Sequence, residues 1–206
     1  MTKQPTVFVV DDDPSVLRAI SRFLRSHELL VEPYESPWQF LDAIDPATPG
    51  CVLLDLSLPQ ISGLELQERL AESGSAHPVV FLTGYGSIRA SVQAMQAGAL
   101  DFIEKPFVDD VLLATVRRAL DRDRELRERR IASDSIVRRV ASLTPREGEV
   151  LRHVIAGRLN KQIAARLGTA EKTVKVHRAR VMRKMSVRSV AELTRAADCI
   201  GIQPEG

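Results

Sequence analysis

The sequence predicts an α/β domain followed by a smaller, all-helical domain. Over residues 1–122, short apolar runs alternate with amphipathic segments, which is typical of a parallel sheet covered by helices on both faces. The charge changes sign along the chain: residues 1–122 carry 10 Lys and Arg against 17 Asp and Glu, whereas residues 123–206 carry 19 against 10. A net charge of −7 followed by one of +9 indicates two domains with different tasks, the second of which binds a polyanion.

Five strands and five helices are predicted in the first domain. The strands lie at residues 6–10, 29–34, 51–54, 79–82 and 101–104. The helices begin near residues 14, 37, 64, 87 and 109. The second strand contains Pro33, which cannot donate a ladder hydrogen bond and therefore favours a sheet edge. With that strand at the edge, the alternation predicts a flavodoxin-like, doubly wound parallel sheet of strand order 2-1-3-4-5.

Two helix starts in this domain show capping patterns. Asp13 precedes Pro14, an N-cap followed by a first-turn proline, which opens the first helix. Ser36, Pro37 and Gln39 form the pattern of a capping box, which predicts that the Ser36 side chain caps the second helix. These patterns mark where the chain turns from strand to helix.

Four predicted strands end in a charged or hydroxyl residue. Asp11 and Asp12 follow the first strand, Asp55 ends the third, Thr83 follows the fourth and Lys105 follows the fifth. In an open parallel sheet the reactive crevice lies beyond the carboxyl ends of the strands, so these side chains are expected to meet. A carboxylate that accepts a phosphoryl group is approached by a dianion, and Mg²⁺ held by neighbouring carboxylates would neutralise that charge. The set therefore predicts a Mg²⁺-dependent phosphoryl-transfer site.

The helix that begins at Asp109 is predicted to continue as a charged linker over residues 123–140. Opposite charges at a spacing of four, such as Glu125 and Arg129, support a solvated helix. The sequence predicts a break in this helix near residues 133–135. The predicted organisation is therefore a first domain at 1–122, a helical linker at 123–140 and a second domain at 141–206.

The second domain shows the pattern of a helix-turn-helix. Thr144 and Glu147 form a capping box around a first-turn proline and open one helix. Asn160 is the predicted cap of the next, and Gly168 permits a tight turn before a third helix that begins at about Ala170. Two helices joined by a short glycine turn are typical of DNA-binding proteins.

The third helix of this domain is predicted to have a buried face and a basic face. Val174, Val181 and Met185 share the apolar face. The basic face is free to enter a major groove, and residues 141–206 carry 13 Lys and Arg against 6 Asp and Glu. The predicted DNA-contacting residues are Lys172, Thr173, Lys175, Val176, Ala179 and Arg183.

Residues 6–122 resemble the receiver domain of two-component response regulators. The matching motifs are Val-Asp-Asp-Asp at 10–13, Asp-x-x-Leu-Pro-x-x-x-Gly at 55–63, Thr-Gly at 83–84 and Asp-Phe-Ile-Glu-Lys-Pro-Phe at 101–107. The resemblance implies that Asp55 takes a phosphoryl group from a sensor histidine kinase. It also implies that Asp12, Asp55 and the backbone carbonyl of Ser57 bind Mg²⁺, with Asp11 holding the ion through water, and that Lys105 contacts the phosphoryl oxygens.

The same resemblance assigns a conformational switch to this domain. Thr83 and Phe102 correspond to the hydroxyl and aromatic pair, although many receivers carry Tyr where this chain has Phe102. The Lys105–Pro106 peptide corresponds to one that is cis in the family. Phosphorylation is then expected to favour a homodimer formed through the helix at 87–97, the strand after it and the helix from Asp109.

Residues 141–206 resemble the LuxR-type DNA-binding domain. The matching motifs are Leu-Thr-Pro-Arg-Glu at 143–147, Asn-Lys-Gln-Ile-Ala at 160–164, Leu-Gly at 167–168, Lys-Thr-Val-Lys-Val-His-Arg at 172–178 and Met-Arg-Lys-Met at 182–185. The family usually opens its recognition helix with Ser where this chain has Ala170, so Thr169 is the alternative cap. A receiver followed by this module is similar to the FixJ/NarL class of response regulators, and to its FixJ-like branch in particular.

These observations predict a phosphorylation-controlled transcription factor that binds promoter DNA as a dimer, with RNA polymerase as a further candidate partner. No catalysis beyond the protein's own phosphorylation and dephosphorylation is expected. One alternative is a Mg²⁺-dependent phosphohydrolase with an aspartyl-phosphate intermediate, which would need an acid/base carboxylate two residues after Asp55, where Ser57 stands. The other is a receiver that never takes phosphate, which the intact set of Asp, Thr and Lys residues disfavours.

Composition argues against several other classes of protein. Cys51 and Cys199 are far apart, so neither a disulfide framework nor a zinc site is indicated. No apolar run approaches the ~18 residues of a membrane span, and the N-terminus lacks a signal-peptide core. A cytoplasmic protein without a membrane partner is therefore expected.

Overall fold

The structure is a computed structural model that describes residues 4–84 and 94–205. It consists of two compact units, which divide between Arg127 and Glu128. The first is an α/β unit and the second is smaller and helical, which confirms the predicted fold class.

Among the described residues, the first unit contains a parallel sheet of five strands in the order β2-β1-β3-β4-β5, which confirms the predicted topology. The strands are β1 (Thr6–Val10), β2 (Leu30–Tyr34), β3 (Gly50–Asp55), β4 (Val79–Thr83) and β5 (Asp101–Glu104). The helices with described bounds are α1 (Pro14–Ser26), α2 (Pro37–Ala43), α3 (Gly63–Glu72) and α4 (Asp109–Ala141), and α4 continues into the second unit. Residues 87–93 of the helix predicted at 87–97 lie outside the described residues.

The three central strands, β1, β3 and β4, are buried on both faces, and their successive residues point to opposite sides of the sheet. On one face, Val9 and Leu53 pack with side chains of α1 and α4. On the other, Phe8 and Leu54 pack with side chains of α2 and α3. Complete burial of a Leu or Phe side chain contributes about 1.5–3 kcal/mol. This double-sided packing holds the strands, and therefore their carboxyl ends, in fixed positions.

The start of α1 is capped as predicted, but the start of α2 is not. The Asp13 side chain accepts a hydrogen bond from Ser15 N (2.7 Å). Ser36 precedes α2 without a side-chain hydrogen bond to the helix, so the predicted capping box is wrong there. Two other features begin this short helix: Pro37 presets the helical φ at the first position, and Phe40 N donates to the Ser36 carbonyl (3.1 Å).

Helix α4 runs without interruption from Asp109 to Ala141, so the predicted break near residues 133–135 is wrong. Ser and Asp lower helix propensity by only a fraction of a kcal/mol, and neither Gly nor Pro interrupts the backbone hydrogen bonds there. The expectation that α4 is solvated from residue 123 fails at Asp123, whereas Arg124, Glu125 and residues 128–132 are exposed as expected. The Asp123 side chain is buried in the first unit, with 2% of the residue exposed.

The second unit has its own core. Its helices are α5 (Pro145–Ile155), α6 (Asn160–Arg166), α7 (Glu171–Met185) and α8 (Val190–Cys199). The end of α4 also belongs to this unit, because Ile136 and Val140 pack against its core. Val174, Val181 and Met185 of α7 are buried, as predicted.

The turn between α6 and α7 has the predicted form. Gly168 adopts a φ of +62°, a conformation that residues with a side chain rarely take. Thr169 N donates to the Ala164 carbonyl (3.0 Å) and closes the turn. Helices α6 and α7 therefore form the expected helix-turn-helix.

Two predicted caps in this unit are wrong. Asn160 is the first residue of α6 rather than its cap, and Leu159 precedes it. The Gln162 side chain accepts from Leu159 N (2.9 Å), so a side chain within the helix satisfies the N–H group before it. Helix α7 begins after Ala170, whose side chain has no acceptor, and Thr169 does not replace it.

A buried carboxylate ties the start of α5 to the end of α7. Glu147 is 2% exposed, and its Oε2 accepts from Lys184 Nζ (2.6 Å) and Thr144 N (3.0 Å). Thr144 Oγ1 accepts in return from Glu147 N (3.3 Å), which completes the predicted capping box. The hydrogen bond from Lys184, followed by that from the Thr144 backbone, lowers the pKa of Glu147 to about 2.

We expect this carboxylate to make the second unit acid-sensitive. The pKa of Glu147 in the unfolded chain is about 4.3, so its ionised form stabilises the fold above that pH and this contribution is lost as the pH falls towards its folded pKa. Glu147→Gln should lower the unfolding free energy of the second unit by about 2 kcal/mol at neutral pH. The difference from wild type should shrink between about pH 5 and about pH 2, as measured by calorimetry of the full chain.

Glu149→Gln provides the matched control. Glu149 pairs with Arg146 on the surface of the same helix (2.7 Å), and such pairs contribute less than about 1 kcal/mol. A Glu147→Gln penalty that stayed constant over the whole pH range would contradict the assignment.

Candidate functional site

Four strands of the sheet have their carboxyl ends side by side, and we refer to this end of the sheet as the carboxyl edge. The register pairs Asp55 of β3 with Leu82 of β4, and Thr83 of β4 with Glu104 of β5. Lys105, the residue after β5, donates its backbone N–H to the Thr83 carbonyl (2.7 Å). The carboxyl ends of the strands are therefore aligned, as the position of the polar residues predicted.

At the carboxyl edge, the Lys105 side chain contacts the carboxylates of two other strand ends. Its Nζ lies 2.5 Å from Asp11 Oδ2 and 3.0 Å from Asp55 Oδ1. Asp11 is 1% and Asp55 6% exposed, so two nearly buried carboxylates share one ammonium group. The Lys105–Pro106 peptide that follows is cis, as the resemblance implied. Residues separated by up to 94 positions in sequence thus form a single charged cluster.

Each of the two carboxylates also accepts a backbone hydrogen bond. Asp13 N donates to Asp11 Oδ1 (2.9 Å), and Ser57 N donates to Asp55 Oδ2 (3.2 Å). The oxygens that face Lys105 are the other ones, Asp11 Oδ2 and Asp55 Oδ1. Both carboxylates are consequently held in orientation by groups on two sides.

The charge state of Lys105 follows from this geometry. Burial by itself would lower its pKa, but hydrogen bonds and charge attraction from Asp11 and Asp55 together outweigh burial, so the pKa of Lys105 lies above its ordinary value. The side chain therefore remains a cation at neutral pH, able to contact an anionic group bound at this edge.

The donor groups at this edge suit a hard cation. Asp11 and Asp55 present carboxylate oxygens, and Asp12, the residue after Asp11, is exposed. Oxygen ligands with one or two carboxylates are the usual environment of Mg²⁺. Over the described ranges 4–84 and 94–205, no three His, Cys, Asp or Glu side chains are arranged as a metal-binding group. In this structure the positive charge between Asp11 and Asp55 is the ammonium group of Lys105.

The predicted switch pair is split between interior and surface. Thr83 is buried at the end of β4, whereas Phe102 of β5 is 44% exposed and belongs to neither core cluster of the first unit. Phe102 pairs in register with Phe81 of β4. Its exposure leaves an aromatic side chain at the surface of β5.

Gly63, at the start of α3, allows the chain to pass close to Asp55. A Cβ atom at this position would lie 2.5 Å from the Asp55 carbonyl oxygen and 2.9 Å from the Phe81 ring. The backbone is also tied here, because Gly63 N donates to the Leu56 carbonyl (3.1 Å). The glycine of the 55–63 motif is thus required for packing beside the site.

The predicted DNA-contacting face of α7 is exposed. All of its assigned residues are at the surface, namely Lys172, Thr173, Lys175, Val176, Ala179 and Arg183. Lys175 Nζ lies 3.5 Å from Glu171 Oε1 one turn earlier, which is a weak surface ion pair. Val176 is an exposed apolar side chain that the fold does not use.

Two polar contacts were not predicted from the sequence. Arg178 donates to Asn160 Oδ1 (3.2 Å) and links α7 to α6. Arg127 binds Asp123 one turn earlier in α4, with Nε 2.8 Å from Oδ2. An acid followed four residues later by a base is visible in the sequence, but the same pattern occurs on solvated helices, so it did not reveal burial.

Comparison with known proteins identifies the family. Residues 7–117 match the response regulator receiver domain, and residues 141–197 match the luxR family of bacterial regulatory proteins. The chain belongs to the FixJ/NarL class of two-component response regulators. It is a phosphorylation-controlled, DNA-binding regulator of transcription, as the motifs predicted.

Several relatives of this response regulator align over both units. Nodulation protein W of Bradyrhizobium diazoefficiens is 42% identical over 95% of this chain and 86% of that protein. The transcriptional regulatory protein FixJ of Azorhizobium caulinodans is 40% identical over 99% and 97%. Among solved structures, the response regulator StyR has a TM-score of 0.83 and 44% identity over 95% of this chain and 98% of that chain. In the described part of this chain, every helix is too short or too polar to cross a membrane.

Proposed function

We propose that Asp55 is the residue that accepts the phosphoryl group, from a sensor histidine kinase. The observation that carries this proposal is the cluster at the strand ends, where Asp55 is held by Lys105 Nζ and Ser57 N beside Asp11. In the transfer, an Asp55 carboxylate oxygen forms the new bond to phosphorus as the bond between phosphorus and the donor nitrogen breaks. The product is an acyl phosphate with one more negative charge to be neutralised.

Mg²⁺ is the cation that fits this requirement. Asp11, Asp12, Asp55 and the Ser57 backbone carbonyl would hold it, with Asp11 acting through water. When bound, the ion supplies the positive charge that lets a phosphoryl dianion approach a group of carboxylates. Lys105 adds a second positive charge, because its Nζ already contacts Asp55 Oδ1 and can pair with a phosphoryl oxygen.

The phosphorylated site is proposed to act through Thr83 and Phe102. Thr83 lies buried at the end of β4, where its hydroxyl can donate to a phosphoryl oxygen. A shift of Thr83 would leave space that the exposed Phe102 ring on the neighbouring strand can enter. Val108, which precedes α4, and Val111, in its first turn, are also exposed apolar side chains, and burial of such apolar area on a second copy favours a homodimer.

The output of the protein is proposed to be promoter binding by α7, in the cytoplasm where bacterial DNA lies. Two copies of an HTH unit bind two half-sites, and the dimer then presents a surface to which RNA polymerase can bind. The exposed basic residues of α7 supply the attraction to phosphate, and Val176 is free for apolar contact with a thymine methyl group.

Phosphorylation of Asp55 is tested by chemical labelling. With acetyl phosphate and Mg²⁺, the wild type should gain one phosphoryl group at Asp55, because this carboxylate has both Lys105 and the proposed cation site within reach. Asp55→Asn should not be labelled, and Asp13→Asn, whose carboxylate instead caps α1, should be labelled like wild type. Mass spectrometry of the digested proteins measures both. Equal labelling of Asp55→Asn would show that another residue is the acceptor.

The proposed dimer is tested by sedimentation velocity. Beryllofluoride with Mg²⁺ should shift the full chain from monomer to dimer, by about 5- to 150-fold in the association constant. Phe102→Ser should reduce that shift, because it removes an exposed ring that is not needed for the core. Leu30→Ser serves as the control, since Leu30 is an equally exposed apolar residue at the opposite sheet edge, on β2. A molecular mass that did not change over a range of concentrations would contradict the proposal.

The role of Lys175 in DNA binding is tested by titration at several salt concentrations. If Lys175 contacts a phosphate, Lys175→Ala should weaken binding to all sequences alike and lower the salt slope by about 0.9. If it contacts a base, the variant should lose about 1–3 kcal/mol at one position and relax specificity there. We favour the phosphate contact, because guanine is more often read by Arg than by Lys.

Two control variants isolate this effect. Glu171→Gln removes the ion pair of Lys175 without removing its charge, and Arg166→Ala removes a positive charge from α6 rather than from the exposed face of α7. Fluorescence anisotropy with a promoter fragment and an unrelated fragment provides the measurement. Wild-type affinity of Lys175→Ala at every salt concentration would mean that α7 does not use this face.

A further inference from the structure

An ion pair between the buried carboxylate of Asp123 and the partly exposed guanidinium group of Arg127 lies at the end of the sheet opposite to Asp55. Asp123 Oδ1 and Oδ2 accept from Arg127 Nε (2.9 and 2.8 Å), and Asp123 Oδ2 also accepts from Gly50 N (2.9 Å). Both charged residues belong to α4, and Gly50 is the first residue of β3. Asp123 and Arg127 both lie beyond the residues that match the receiver family, which end at 117.

The guanidinium group of Arg127 also binds the loop before β3. Its Nη1 donates to the Ala47 carbonyl (3.0 Å), and its Nη2 donates to the carbonyls of Pro46 (3.2 Å) and Thr48 (2.6 Å). His77 Nε2 lies 2.7 Å from the same Thr48 oxygen, two residues before β4 begins. We call Asp123, Arg127 and the backbone groups of residues 46–50 that they bind the base clamp.

The base clamp holds the same strands that form the phosphoacceptor site. Strand β3 begins at Gly50 and ends at Asp55, and β4 ends at Thr83. Both strands are buried along their length, so a displacement at one end is transmitted to the other rather than absorbed by solvent-exposed residues. The start of β3 is packed directly against β1, because a Cβ at Gly50 would lie 2.1 Å from the Thr6 carbonyl oxygen. The start of β3 therefore cannot move towards β1 by itself.

We propose that the base clamp couples the state of Asp55 to the segment of α4 around residues 120–127. This inference rests on the proposed role of Asp55 as phosphoacceptor. Arg127 and Asp123 are positioning residues in it, because neither touches the phosphoryl group. The Arg127 guanidinium group makes five hydrogen bonds, to Asp123 and to the loop before β3. A displacement of that loop therefore also displaces this part of α4. Residue 127 is also where the first unit ends, so the segment that senses Asp55 leads directly into the second.

Hydrogen–deuterium exchange of the full chain tests the coupling. Beryllofluoride with Mg²⁺ should slow exchange of wild-type peptides around Asp55 and of those covering residues 120–127, by about fivefold or more. In Arg127→Met the change around Asp55 should persist and the change at 120–127 should be lost. Arg127→Lys should behave like Arg127→Met, because a lysine keeps the charge but cannot reach the same set of acceptors.

Two further variants separate coupling from general instability. The double variant Asp123→Asn with Arg127→Met leaves no unpaired buried charge and should also lose the change at 120–127. Arg129→Met removes an exposed arginine from the next turn of α4 and should respond like wild type. A response at 120–127 that survives in Arg127→Met and in the double variant overturns the inference, as does a wild type that responds around Asp55 alone. A wild type with no response around Asp55 overturns the proposed phosphoacceptor itself, and the coupling with it.

Discussion

The ammonium group of Lys105, placed between the carboxylates of Asp11 and Asp55, is the interaction on which the candidate site depends. Two nearly buried negative charges at the ends of adjacent strands would repel each other without it. Their separation is set by the parallel pairing of β1 with β3, and Lys105 is delivered by the strand end two places away. The sheet therefore determines the chemistry: strands buried on both faces bring acid and base together at one edge.

The rest of the first unit holds the carboxyl ends of the strands in position. Gly63 lets α3 begin beside Asp55, and the cores on either face prevent β3 and β4 from moving independently. At the far end, Asp123 and Arg127 attach α4 to the loop that enters β3. The receiver unit thus includes α4 as far as Arg127, which is about one helical turn into the segment that the sequence presents as a solvated linker from residue 123.

In the second unit, one face of α7 is buried in the core and the opposite face is exposed and available to a ligand. Val174, Val181 and Met185 anchor α7 in the core, while Glu147 and Lys184 tie its end to the start of α5. These contacts orient the helix without using any residue of the basic face. Substitutions on the basic face should therefore change the stability of this unit little, because none of its residues is part of the core.

The sequence alone determined the strand order, the strand-end residues of the site, the helix-turn-helix and the capping box at Thr144, because each depends on local periodicity or on a motif with strict spacing. Only the tertiary structure decided how α4 is used. The Asp123–Arg127 pair has the spacing of a solvent-exposed pair, and burial beneath residues 46–50, more than 70 positions away, cannot be deduced from that spacing. The exposure of Phe102 and the helix starts at Leu159 and Ala170 were likewise set by packing and competing hydrogen bonds, which outweigh local preferences worth a fraction of a kcal/mol.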